Sequence, residues 1–134
     1  MNKGFISPGF HSVLDYIGGL LIASSPWLFG FVHLGGAALF IPLFLGCMQL
    51  VMTIFTDHPG GLIKVLPFQL HLVLDMFSGF IILVSPFLWG FCSHVYLPHL
   101  LLGLLSFCAG LFTQPSPFLG DKFQLLDSRG MQRI

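Results

Sequence analysis

Two histidine–aspartate pairs are the residues of this sequence best suited to chemistry. His11 precedes Asp15 by four positions and His71 precedes Asp75 by the same interval, so each pair shares one face if its segment is helical. The two aspartates are the only carboxylates inside strongly apolar stretches. Ionisable groups in such surroundings are costly, which marks them as candidates for function. An imidazole beside a carboxylate can form a hydrogen bond, relay a proton or bind a metal ion.

The apolar stretches that position these pairs predict a membrane protein. Charged residues make up 7% of the 134 positions, hydrophobic residues 55%, and Phe alone occupies 16 positions. Soluble proteins carry about 25% charged residues, so we expect the surface of this chain to face lipid. Four stretches, at about 10–31, 35–55, 70–91 and 96–112, approach the length of about 20 residues that a helix needs to cross a bilayer. We therefore predict an all-α membrane protein with four transmembrane helices.

The first and third stretches are copies of one sequence. At a shift of 60 residues, positions 11–31 and 71–91 are identical at 11 of 21 positions, including aligned His, Asp, Ser and Pro. The second and fourth stretches match more weakly, for example at Phe55-Thr56 and Phe112-Thr113. A duplicated two-helix unit explains both observations. We predict a single membrane domain with repeat 1 at about 8–59 and repeat 2 at about 67–114, followed by a cytoplasmic or interfacial tail at 115–134.

The repeat predicts how the four helices are arranged. A hairpin has an even number of spans, so the two copies cross the membrane in the same orientation and form a four-helix bundle with pseudo-two-fold symmetry about the membrane normal. The His/Asp pairs of the two copies would then face each other across that axis. All five basic residues fall on one side of such a topology: Lys3, Lys64, Lys122, Arg129 and Arg133. Their distribution predicts that both termini are cytoplasmic.

A Ser-Pro step with aromatic neighbours lies near the end of each repeated stretch. The first copy reads Ser25-Pro26-Trp27-Leu28-Phe29-Gly30 and the second reads Ser85-Pro86-Phe87-Leu88-Trp89-Gly90. Proline has no N–H and frees the carbonyl four positions earlier, so we expect a kink whose serines bond to the local backbone. Trp27 and Trp89 suit an outer interfacial belt. In a second interpretation, the two kinks act as gating hinges or line a binding cleft at the outer face.

These motifs resemble those of the SPW repeat family of small prokaryotic integral membrane proteins. That family is defined by a Ser-Pro-Trp motif in the first of two transmembrane helices per repeat. The second copy departs from the pattern, with Phe87 where Trp is expected and Trp89 two positions later. The resemblance implies the two-hairpin architecture and a bacterial or archaeal inner membrane. It brings no catalytic residues.

Three interpretations of the His/Asp pairs stay open at this stage. The pairs could provide polar contacts between helices, or helix capping near a boundary that water and headgroups reach; they could form a proton or ion pathway; or they could bind a metal ion or haem. The first favours a non-enzymatic structural or accessory component, the second a small oligomeric transporter or channel for protons or cations, and the third a redox subunit. An exterior metal site is a weaker option, built from His33, Cys92, His94 and His99.

The sequence favours the structural interpretation. We expect no catalytic residue, no cofactor and no resident metal ion. The expected partners are the lipid bilayer and either further copies of the chain or a larger membrane complex. The formal net charge is zero and the chain has no basic cluster, which argues against nucleic acid as a partner.

Overall fold

The computed structural model describes residues 4–114 and 116–119, and these residues form four α-helices and no strand. The helices are α1 (Pro8–Leu28), α2 (Gly36–Phe55), α3 (Phe68–Leu88) and α4 (Leu97–Phe112), with a short 3-10 helix at Val32–Leu34. The predicted all-α class is therefore confirmed. Of the predicted cytoplasmic or interfacial tail at 115–134, only residues 116–119 are among the described residues.

Local chemistry sets the ends of the two repeated helices. The side chain of Ser7 accepts a hydrogen bond from the N–H of Phe10 at 3.2 Å, and Pro8 occupies the first turn of α1. In α3, Pro67 lies at the N-cap, one residue before the first helical position. At the other ends, Gly30 and Gly90 have φ values of 72° and 71°. Only glycine adopts this left-handed conformation readily, so both helices end just before them.

The four helices form a ring in which α1 and α3 lie diagonally opposite each other. The closest packing is within each hairpin, α1 against α2 and α3 against α4, and further contacts join α2 to α3 and α1 to α4. Glycine permits the close approach within a hairpin. A Cβ atom at Gly46 would lie 2.4 Å from the backbone nitrogen of Ala23, and one at Gly79 would lie 2.4 Å from that of Phe107. The inner faces of α1 and α3 therefore meet at the centre of the bundle.

The bundle has a polar interior and an apolar exterior. Among the described residues, 17 polar or charged side chains are buried and only 8 hydrophobic ones are. Large apolar side chains such as Ile17, Phe44 and Phe77 are exposed along the helices. By length and composition, α2 and α3 could each cross a membrane, whereas α4 is apolar but has 16 residues. This distribution is the opposite of that in a water-soluble protein.

Candidate functional site

Four polar side chains converge between α1 and α3, near the N-terminal ends of these helices: His11, Asp15, His71 and Asp75. We call this group the His/Asp cluster. Each of the four residues is at most 1% exposed. One ligand-capable atom from each residue lies within 4.8 Å of the other three. The structure thus brings the two predicted pairs into one site, although they are 60 positions apart in the sequence.

Each imidazole of the cluster contacts both carboxylates. Nε2 of His11 lies 3.2 Å from Oδ2 of Asp15 and 3.0 Å from Oδ2 of Asp75. Nε2 of His71 lies 3.0 Å from Oδ2 of Asp15 and 3.1 Å from Oδ2 of Asp75. Two nitrogens and two oxygens therefore alternate around a closed ring with nearly equal sides. Because α1 and α3 each contribute one nitrogen and one oxygen, the ring joins the two repeats.

Two threonines set the orientation of the imidazoles. Oγ1 of Thr113 lies 2.7 Å from Nδ1 of His11 and donates its own hydrogen to the carbonyl of Ala109. Oγ1 of Thr56 lies 2.7 Å from Nδ1 of His71 and donates to the carbonyl of Met52. A hydroxyl has a single hydrogen, so each threonine must accept from an Nδ1–H group. Both imidazoles therefore carry a proton on Nδ1 and direct Nε2 into the ring.

The hydrogen-bond partners of the remaining carboxylate oxygens, Oδ1 of Asp15 and Oδ1 of Asp75, differ between the two repeats. Nε2 of Gln49 lies 3.5 Å from Oδ1 of Asp15, a long contact. The corresponding residue of the second repeat is Ser106, and its hydroxyl donates to the backbone carbonyl of Asp75 at 3.2 Å. Oδ1 of Asp75 is buried and has no hydrogen-bond partner. Buried polar atoms without a partner are rare in folded proteins and call for an explanation.

The loop between α2 and α3 covers the cluster. His58 in this loop is 4% exposed, and its ring centroid lies 5.7 Å from that of His71. The ring of Phe68 packs edge-on against both His58 and His11. Burial, which disfavours the charged form, lowers the pKa of His58 to about 4, and positive charge at His71 acts in the same direction. His58 therefore faces the cluster as a neutral ring.

The expectation that water and headgroups reach the His/Asp pairs is wrong. All four side chains are buried, and neither aspartate lies in the first turn of its helix, so helix capping is also wrong. The side chains are buried because the segments before α1 and before α3 fold over the ends of the helices. Ile6 pairs with Thr113 and Leu66 pairs with Thr56 through backbone bridges, and these segments close the bundle beside the cluster.

The Ser-Pro motifs form a second layer near the other end of α1 and α3. The hydroxyl of Ser25 donates to the carbonyl of Ile22 at 2.7 Å, and Ser85 donates to Ile82 at the same distance. These are the carbonyls that Pro26 and Pro86 leave without their usual N–H partner, as expected from the sequence. Ser25, Ser85 and both prolines are buried.

The aromatic residues of the two Ser-Pro motifs lie at the surface of the bundle. Trp27, Phe87 and Trp89 are all at least half exposed. Trp89 and Gly90 line a surface depression of about 300 Å³ together with Gly35 and His94, but Trp27 and Gly30 take no part in it. Of the two motifs, this depression therefore contains residues of the second copy alone.

The exterior histidines and Cys92 do not assemble into a site. His99 is buried between the rings of Phe31 and Phe91, and its Nε2 donates to the carbonyl of Ala38 at 3.2 Å. His33 and His94 are exposed. In the part of the chain that the structure describes, the His/Asp cluster is the one group that brings at least three metal-binding side chains together.

Sequence reasoning did not identify four residues that contact the cluster: Gln49, Thr56, His58 and Thr113. A signal for the two threonines was present, because they are aligned in the weaker match between the second and fourth stretches. Gln49 is aligned with Ser106 and gave no such signal.

The comparisons with known proteins agree with the repeat. The family model described as the SPW repeat domain matches residues 9–113. This range includes the whole His/Asp cluster and both Ser-Pro motifs. Searches of curated proteins and of solved structures found no match.

Proposed function

The chain belongs to the SPW repeat domain family, and we propose that it is a four-helix integral membrane protein with a structural or accessory function in a bacterial or archaeal inner membrane. The observation that carries this proposal is the His/Asp cluster, whose side chains contact each other across the two repeats inside a bundle with an apolar exterior. In this function the cluster fastens the two hairpins together.

The distribution of side chains supports four membrane spans. In this proposal α1 and α4 also cross the membrane, together with α2 and α3, which are long and apolar enough by themselves. His11, Ser12, Asp15 and Ser25 of α1 are buried, and the outer side of the helix presents Val13, Ile17 and Leu20. Helix α4 has 16 residues and is about 24 Å long. The bilayer core is about 30 Å thick, and a short span is accommodated by local thinning of the bilayer. The distribution of the five basic residues, with Lys64 in the α2–α3 loop and the others near the termini, supports a cytoplasmic position for that loop and both termini.

The interior beyond the cluster favours a structural function over transport. A proton or cation pathway needs polar groups or water across the bilayer. The buried side chains of Ile22, Leu45 and Ile82 instead form an apolar core between the cluster and the Ser-Pro layer. A void beside Asp15 and Gln49 has a volume of about 10 Å³, which is near the lower limit for one water molecule. A haem is also not supported, because both carboxylates lie within 3.2 Å of each imidazole nitrogen and leave no slot for a macrocycle.

A flux measurement tests the structural function against transport. The full chain is reconstituted in liposomes, and proton and monovalent cation leak is followed with entrapped dyes. We expect the same leak as in empty liposomes, with an ionophore added at the end to show that the vesicles were tight. Flux above this level that is lost in Asp15→Asn combined with Asp75→Asn, and retained in Asp57→Asn, would overturn the proposal. Asp57 is a suitable control because it is about half exposed in the α2–α3 loop.

The proposed partners are the lipid bilayer and either further copies of the chain or a larger membrane complex. The apolar exterior supports this, because it offers helix surfaces to neighbours within the membrane. Native mass spectrometry of protein released from membrane discs gives the test. Multiples of the 14.8 kDa chain indicate a homo-oligomer, and a stoichiometric additional mass indicates an accessory subunit. A chain that is monomeric in every preparation contradicts both.

A further inference from the structure

The sides of the N–O ring are longer than charge-assisted hydrogen bonds usually are. A charged N–H group bonded to a carboxylate has a length of about 2.7–2.9 Å. In the cluster, each Nε2 has two carboxylate oxygens at 3.0–3.2 Å and none closer. The 3.0 Å contacts between the repeats, from His11 to Asp75 and from His71 to Asp15, have hydrogen-bond geometry, and the contacts of 3.1–3.2 Å within each repeat close the ring. Two nitrogens and two oxygens thus converge on one small space, as they would around a shared central partner.

The size of the ring fits a small divalent cation. Zinc bonds of about 2.0–2.2 Å in tetrahedral geometry place neighbouring ligand atoms about 3.3–3.5 Å apart. The four N–O distances, 3.0–3.2 Å, differ from this by a few tenths of an ångström. Two imidazole nitrogens and two carboxylate oxygens are also a donor set that zinc and similar d-block ions accept.

The outer contacts of the imidazoles fit the same partner. Thr113 and Thr56 accept hydrogen bonds from Nδ1 of His11 and His71, so Nε2 of each ring faces the two carboxylate oxygens. A metal ion binds the neutral imidazole, so an ion in the ring would displace any proton on Nε2 and supply the positive charge between the carboxylates in its place. Histidines that bind metal ions nearly always donate their other N–H to an acceptor in this way.

Two further features are consistent with an ion at this position. The buried Oδ1 of Asp75 has no hydrogen-bond partner and lies on a carboxylate whose other oxygen faces the ring, so no hydrogen bond at Oδ1 competes with an ion for this carboxylate. In addition, two carboxylates and one divalent cation sum to zero charge. Charge neutrality matters inside an apolar bundle, where an unbalanced charge is costly.

We propose that the His/Asp cluster binds one divalent d-block ion of the zinc type. The ligands are Nε2 of His11 and His71 together with Oδ2 of Asp15 and Asp75, so each repeat supplies two. This inference departs from the sequence-based expectation of no resident metal ion. It goes beyond the proposed function and does not depend on it, because a protein that fastens its repeats through the cluster can do so with or without an ion. When the ion is bound, its coordination by ligands from both repeats joins the two hairpins, and metal binding adds to the stability of the fold.

Metal titration of the purified full chain tests the proposal. The protein is stripped with a chelator, returned to membrane discs and titrated with Co²⁺, whose visible absorption is strong only in tetrahedral sites, and then with Zn²⁺ in competition. We expect one ion per chain, an intense visible band, and at least a 100-fold loss of affinity in Asp15→Asn and in Asp75→Asn. Asp57→Asn, altered in the exposed loop, should bind as the unaltered protein does. Helical content and unfolding temperature verify that each variant is folded.

Three results would overturn the proposal: no saturable binding of either ion, binding that both cluster variants retain, or a six-coordinate Co²⁺ spectrum. If the variants do not fold, the unaltered chain still decides the matter after its three cysteines are alkylated. Binding that survives alkylation with the same tetrahedral spectrum supports the His/Asp cluster, and binding that is lost assigns the ion to cysteine. A chain that binds no ion but also carries no flux contradicts this inference alone, whereas flux in a metal-binding chain contradicts only the proposed structural function.

Discussion

The hydroxyl of Thr56 lies 2.7 Å from Nδ1 of His71, so a threonine of the first repeat orients a histidine of the second. The reverse contact is present as well, since Thr113 of the second repeat lies 2.7 Å from Nδ1 of His11 in the first. Each histidine also contacts the aspartate of the other repeat at 3.0 Å. Neither repeat contains the whole environment of its own histidine, and the cluster is therefore a product of the association of both hairpins.

Removing the threonine hydroxyls is expected to weaken both stability and metal binding. Thr56→Val or Thr113→Val leaves a buried Nδ1–H without an acceptor, at a cost of about 1–3 kcal/mol in the free energy of unfolding. Loss of such an outer contact lowers metal affinity by about 10–100-fold. Thr53→Val is the matched control, because Thr53 is equally buried but donates only to the carbonyl of Gln49. Equal effects on Zn²⁺ affinity at positions 53 and 56 would show that the threonine does not act through His71.

Removing the ion is expected to lower the stability of the unaltered chain. When free Zn²⁺ is 100 times its Kd, binding contributes about 2.7 kcal/mol to the free energy of unfolding. A chelator should remove this increment in the unaltered protein and in Asp57→Asn, and should change nothing in Asp75→Asn. Unfolding in a mixed-micelle denaturant series, with and without Zn²⁺, gives the difference. A Zn²⁺-dependent increment in Asp75→Asn as large as in the unaltered chain would contradict the site.

Replacing Gly79, which lies where α3 packs closely against α4, is expected to separate those two helices. The Cβ atom of Gly79→Ala would lie 2.4 Å from the backbone nitrogen of Phe107, which the backbone can relieve only by moving. Overpacking of this kind costs about 1–3 kcal/mol. Gly9→Ala in α1 is the control, since nothing lies within 4 Å of its added Cβ, and helix propensity alone should raise stability by up to about 1 kcal/mol. The same unfolding assay compares the two, and a stable Gly79→Ala protein would show that the close approach is not needed.

The serines of the Ser-Pro layer are expected to stabilise α1 and α3 through the backbone. Ser25→Ala leaves the buried carbonyl of Ile22 without its hydrogen bond, which costs about 1–3 kcal/mol. Ser24→Ala is the neighbouring control, because its exposed hydroxyl donates to the carbonyl of Leu20, which no proline deprives of its N–H partner. Thermal unfolding should distinguish the two variants. If Ser25→Ala and Ser24→Ala are equally stable, the hydroxyl does not substitute for the missing N–H.

The sequence predicted the helices and the convergence of the cluster because both depend on periodicity. His11 and His71 hold the same position in two copies of one hairpin, and a symmetric arrangement of such copies brings their inner faces together. The orientation of Thr56 and the position of His58 could not be predicted in this way. Both depend on how the α2–α3 loop folds back onto the end of α2. In that loop the N–H of Asp57 donates to the carbonyl of Leu66, and the N–H of Leu66 donates to the carbonyl of Phe55. Such backbone contacts leave no periodic pattern in the sequence.

The error about burial has the same origin. A position in the first two turns of a helix is near a boundary, so the sequence placed His11 within reach of water. The backbone of Phe5 and Ile6 instead bonds to the carbonyl of Phe112 and closes that end of the bundle. Gln49 and Ser106 show a further limit, because aligned positions with different side chains support the two aspartates differently.

X-ray absorption at the zinc edge, on the full chain loaded with one equivalent of Zn²⁺, tests the central claim most directly. A site made of both repeats predicts four nitrogen and oxygen ligands at about 2.0–2.2 Å, with the outer-shell scattering of two imidazoles. A sulfur ligand at about 2.3 Å would place the ion on cysteine, and a shell with one imidazole or none would show that the two repeats do not share it. Either result would contradict the claim that the His/Asp cluster, with ligands from both repeats, is the metal site of this protein.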